Sequence, residues 1–207
     1  MTNKLVKYNL NEDQKKKVNK AIKYAKLFNK YPYSLCGKEP PKNTTNDKGP
    51  FWFANEKPPE LNFIKKKGLN CVGLANLVRR FMGLQVPGKV TGQKLSAITK
   101  KWPGSTDAWF EYLKNKRRLE KIDFNKVYPK GTLLLQDYNP KDQGHVAFTI
   151  NSSKKGLLET KIIHSVNDKD KDTGKIYKQV TIEKVKDYYN YKRHTHICLP
   201  QNWLLKN

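Results

Sequence analysis

Apolar residues at Val18, Ala21, Ile22, Ala25 and Phe28 recur every three or four positions, which predicts an amphipathic helix. Asn11-Glu12-Asp13 ahead of them supplies a cap and an acidic first turn. A second helical pattern opens near Cys71, with Leu74, Leu77, Val78 and Phe81 on one face, and stops by Gly83 and Pro87-Gly88. A third runs from Thr106 to about Lys116, with Trp109, Phe110 and Leu113 inward. Between the first two lies a long loop, about 38–67, rich in Pro, Asn and Lys, with Phe51-Trp52-Phe53 in its middle.

The pattern changes after Pro129-Lys130-Gly131. Strands are expected over Thr132 to Gln136, His145 to Ile150, Leu157 to Ser165, Ile176 to Ile182 and His194 to Leu199. Asn139-Pro140, Asn151-Ser152 and Asp172-Thr173-Gly174 punctuate them as turns. Helices first and strands afterwards imply an α+β fold with an antiparallel sheet, in one domain spanning residues 1–207.

Composition adds two constraints. Forty-two cations against 18 acids give a net charge of +24, a surface suited to nucleic acid or another polyanion. Only Arg79, Arg80, Arg117, Arg118 and Arg193 are arginines, so the excess is a lysine coat rather than a set of bidentate phosphate forks. Three widely spaced cysteines and an N-terminus lacking an apolar core favour reduced thiols and an intracellular protein, with the sequons at Asn43 and Asn151 unmodified. No apolar run reaches the length of a membrane span.

Against this background the ordered set Cys71, His145, His164 points to chemistry. A thiol at a helix start meets unpaired backbone N–H groups and the positive end of the helix dipole, which favour thiolate and can hold an oxyanion. His145 in Gly144-His145-Val146-Ala147-Phe148 is the candidate base, and His164 in Ile162-Ile163-His164-Ser165 can orient its imidazole. His194, His196 and Cys198 alternate as ligands on one strand would, but packing is the simpler reading, and no metal or cofactor is expected. Arg79-Arg80 and Arg117-Arg118 are expected to face solvent, and Cys36 to be a packed thiol rather than a redox partner of Cys71.

Five segments in order resemble the NlpC/p60 superfamily of papain-like cysteine hydrolases, over roughly two-thirds of the chain. They are Pro32-Tyr33-Ser34-Leu35-Cys36-Gly37, Asn70-Cys71-Val72-Gly73-Leu74, Lys130-Gly131-Thr132-Leu133-Leu134, Gly144-His145-Val146-Ala147 and Ile163-His164-Ser165. The resemblance implies a nucleophile helix packed on a C-terminal antiparallel sheet, with Cys71 as nucleophile, His145 as base, His164 as orienting residue and Tyr33 as a hydroxyl near the oxyanion. Asn70 stands where the family carries an acid and Val72 where it carries a hydroxyl, while Leu35 and Cys36 replace Trp and Gly. Losing the acid removes a partner for an ammonium group. The expected substrate is therefore a peptide, acyl or lipid-type amide, ester or thioester rather than standard peptidoglycan. The alternative is a basic nucleic-acid-binding or virion structural protein that reuses the fold.

Overall fold

The structure, a computed structural model, describes residues 10–34, 60–97, 102–136, 144–169, 176–188 and 190–204, with residues 100 and 174. Five α-helices and six strands are found among the described residues, as α+β with an antiparallel sheet. The helices are α1 (Glu12–Lys26), α2 (Leu61–Lys67), α3 (Cys71–Phe81), α4 (Thr106–Asn115) and α5 (Pro200–Trp203). The strands are β1 (Glu120–Lys121), β2 (Leu133–Gln136), β3 (His145–Thr149), β4 (Lys161–Lys169), β5 (Ile176–Lys184) and β6 (His196–Cys198), in the spatial order β1-β6-β2-β3-β4-β5.

Local sequence explains the helix starts. Asn11 and Gln14 form a reciprocal capping box on α1, Asn70 accepts from Gly73 N at 2.7 Å on α3, and Ser105 accepts from Ala108 N on α4. α3 is the central helix: Val72 through Arg79 are buried without a break. Polar side chains there must be satisfied, and they are. Asn76 Nδ2 donates to Gly104 O and its Oδ1 accepts from Trp109 Nε1.

Arg79 departs from the expected solvent position. It is fully buried, donating to Gln85 O at 2.8 Å and Trp203 O at 2.7 Å, with its guanidinium over the Trp109 and Tyr112 rings. Arg118 likewise donates to Tyr112 Oη and Asn202 O. One arginine of each pair thus ties the C-terminal segment to the helices, while Arg117 is exposed as expected.

Other expectations shift for local reasons. The last seven residues of the expected loop form α2, burying only Ile64, while Phe51-Trp52-Phe53 lies outside the described residues. A 3-10 turn over Leu157–Glu159, entered through Gly156 at φ +98°, delays the fourth strand to Lys161. That strand then runs on to Lys169 by pairing along the whole of β5. Another 3-10 turn, Tyr191–Arg193, keeps His194 out of β6. Phe81, expected inward, is 39% exposed and stacks on Tyr24.

Both faces of the sheet are covered. Leu133, Leu135, Val146, Phe148, Ile163 and Val180 pack with residues of α1, α3 and α4. On the other face Leu134, Ala147, Ile162 and Ile197 pack with Tyr128, Leu157, Val185 and Leu199. Residues 30–33 pair with the outer edge of β5, through Lys30 N to Val180 O, Val180 N to Tyr31 O and Tyr33 N to Lys178 O.

The same segment fixes the approach to α3. Leu69 N donates to Pro32 O, and Leu69 O accepts from Ser34 N. Gly68, at φ +79°, turns the chain beneath that ladder, and a Cβ there would sit 2.5 Å from Pro32 O. Gly68→Ala should therefore lower stability by about 1–3 kcal/mol. The expected readout is a lower urea midpoint with an unchanged slope; an unshifted midpoint would show that the turn relaxes.

Candidate active site

The four residues singled out in the sequence form two pairs. Cys71, the first residue of α3, is half-buried against the helix-side core and lies beside Tyr33. Burial, and then the neighbouring Cys71 sulfur, push the Tyr33 phenol well up, so it remains a protonated donor. Asn70 caps α3 by accepting from the Gly73 N–H through its side chain.

The second pair is buried. His145 Nε2 and His164 Nδ1 are 3.0 Å apart, and His164 Nε2 is 2.8 Å from Glu183 Oε1. A carboxylate only accepts, so His164 donates from Nε2 to Glu183. In the neutral tautomer that this bond allows, Nδ1 of His164 accepts from the Nε2–H of His145. The chain Glu183–His164–His145 then leaves the lone pair of His145 on Nδ1.

Tyr188 and His194 enclose the two rings: Tyr188 lies 4.7 Å from His164 and 5.7 Å from His145, and His194 lies 5.4 Å from His145, centroid to centroid. Burial first, then the like charges of His164, His194 and Arg193, hold His145 well below the ordinary imidazole range. Burial and then His164 push His194 down to about 3, partly offset by the Tyr191 carbonyl, which accepts from its Nδ1. Among the described residues, none forms a hydrogen bond with the buried Nε2 of His194.

Strand alternation decides how the two pairs sit. Val146 and Phe148 face α3, so His145 projects from the other face of β3, as does His164 relative to Ile163. Cys71 is not among the hydrogen-bond or ring partners of His145. The halves meet through β4. Ser165, next to His164 but facing α3, donates from Oγ to Leu69 O at 2.7 Å, two residues before the thiol. Thus thiol and imidazoles occupy the same end of the sheet, on opposite faces of one strand pair.

No family model, curated protein or solved structure matches the chain. The site is therefore read from its own geometry.

The remaining ligand-type residues do not converge. His194 joins the imidazole cluster, His196 packs edge-on to Phe110 at 5.0 Å, and Cys198 is buried in the helix-side core with its thiol pushed well up by burial. Cys36 lies outside the described residues. Ser165, Glu183 and Tyr188 were not singled out from the sequence. Glu183 had a signal: reflecting His164 about the turn signal in the sequence Asp172-Thr173-Gly174 gives Thr181, its partner on β5, and Glu183 is the same-face neighbour of Thr181.

His145 and His194 both lose proton affinity on folding, so the unfolded chain binds protons more tightly. Stability held by the neutral rings is full above pH 6.5 and is lost as pH falls from there toward the His194 value of about 3. The urea midpoint should fall steadily between pH 7 and pH 4.5, and His194→Phe should flatten that decline. An identical slope in the variant would refute this linkage.

Proposed function

We propose that the chain is a papain-like thiol hydrolase of the NlpC/p60 type, acting on an amide or related acyl bond. The observation that carries the reading is the Glu183–His164–His145 chain, whose two imidazoles are buried at the end of the sheet where Cys71 starts α3. Burying two imidazoles and linking them to a carboxylate is costly for packing alone and well suited to moving one proton.

In this mechanism His145 accepts the Cys71 proton, a step that requires ring and thiol to come within hydrogen-bond reach at the end of the sheet they share. The thiolate attacks the carbonyl carbon, and the tetrahedral oxyanion is held by the first N–H groups of α3 and the Tyr33 hydroxyl. His145 returns its proton to the leaving group, giving an acyl-enzyme that water attacks with His145 again as base. His164 positions His145, and Glu183 positions His164. Asn70 is neutral and committed to Gly73, which supports a substrate without the free ammonium of a peptidoglycan peptide.

One observation favours a second reading. Because His145 and His164 project from the face opposite α3, the fold is also consistent with a basic module that binds polyanions without turnover.

Iodoacetamide labelling against pH, followed by mass spectrometry, separates the two. Under the hydrolase reading Cys71 alkylates well below pH 8 and faster than Cys198. At pH 6.5, His145→Ala and Glu183→Gln should slow it about 10- to 100-fold, toward an ordinary thiol. Wild-type labelling at the ordinary rate would eliminate the activated nucleophile. The second reading instead expects DNA affinity that falls steeply with salt and survives Cys71→Ala; a flat salt response would remove it.

A further inference from the structure

The last residue of α3 carries an aromatic ring that the core does not use. Phe81 is 39% exposed and lies parallel to Tyr24 of α1, with centroids 3.9 Å apart and 1° between the planes. Tyr24 is braced in turn by Phe28, edge-on at 5.1 Å, and Phe28 is fully buried. The exposed ring is thus backed by an aromatic stack that reaches into the core. Lys20 Nζ lies over the Phe81 ring, 5.2 Å from its centroid, a cation–π contact that an incoming base would displace.

The charge around it is one-sided. Lys16, Lys17, Lys20 and Lys23 are all exposed on α1, and no acidic residue follows Asp13 in that helix. Lys16, Lys20 and Tyr24 are one helical turn apart each, forming a ridge that leads from ammonium groups onto the stacked rings. A bilayer is a poor fit: the apolar stripe of α1, Val18, Ala21, Ile22 and Ala25, is already spent in the core. Duplex DNA is a poor fit for the ring, because its base faces are stacked on one another. A single strand offers both phosphates for the lysines and bare base faces for Phe81.

We propose that the α1–α3 face formed by Lys16, Lys20, Lys23, Tyr24 and Phe81 binds single-stranded nucleic acid, with a base stacking at Phe81. The site is independent of the thiol chemistry, and it narrows the polyanion contact of the second reading to one face and one ligand class.

The test uses fluorescence anisotropy of a labelled oligo(dT) 20-mer, with heparin as a polyanion that has no bases. Phe81→Ala should weaken oligo(dT) binding about tenfold and leave heparin affinity unchanged. Phe81→Trp should restore or exceed wild-type affinity, which controls for any loss of folding in the alanine variant. Replacing Lys16, Lys20 and Lys23 together by Gln should weaken both probes. If wild type binds both probes and Phe81→Ala changes neither, or changes both equally, the stacking site is overturned while the general polyanion contact stands. If wild type binds neither, both fall. Cys71→Ala should bind like wild type; a loss there would contradict independence from the thiol.

Discussion

The hydrogen bond from Ser165 Oγ to Leu69 O, 2.7 Å long and buried, is the constraint on which the site depends. Leu69 is held on its other side by the backbone of Pro32 and Ser34, so the peptide before Cys71 is clamped between β4 and the segment that covers β5. This fixes where α3 begins, and therefore where its N-terminal donors point. One residue away on the same strand, His164 organises the imidazole cluster on the other face. Two consecutive side chains of β4 thus register the thiol and the imidazole pair against each other, on a strand paired along its full length with β5.

That arrangement places titratable groups where water cannot solvate their charge. His164 and His194 are at most 1% exposed, and Tyr188 fills the space among the rings. Burial favours the neutral forms of His145 and His194, and the Glu183 carboxylate accepts from Nε2 of His164. The helices show the same economy. Asn76 and Arg79 are buried in α3, but each is matched to acceptors or rings from distant segments, so polar groups specify the packing of α4, α5 and the 84–104 region around one helix.

The charge of the chain is organised in a different way. The interior arginines act as structural clamps, whereas lysines coat α1 and leave an aromatic stack at its edge.

Much of the fold was legible in residue order. The apolar spacing of Val18 to Phe28, the caps Asn11 and Asn70, and the change to alternating patterns after Gly131 are local properties that need no tertiary context. The pairing of His145 with His164 followed from two strand-like runs that had to be neighbours. What the chain order could not show is which face of the sheet each residue takes. Val146 and Ala147 are both apolar and both buried, because the sheet is covered on both sides, so alternation in hydropathy vanishes just where it would assign His145 to a side. Likewise Arg79 and Phe81 exchanged their expected environments, since only the packed positions of α5 and α1 decide which flank of α3 is covered. Local sequence fixed the elements and the chemistry they carry. Two-sided burial, a property of the assembled layers alone, decided how thiol, imidazoles and carboxylate stand to one another.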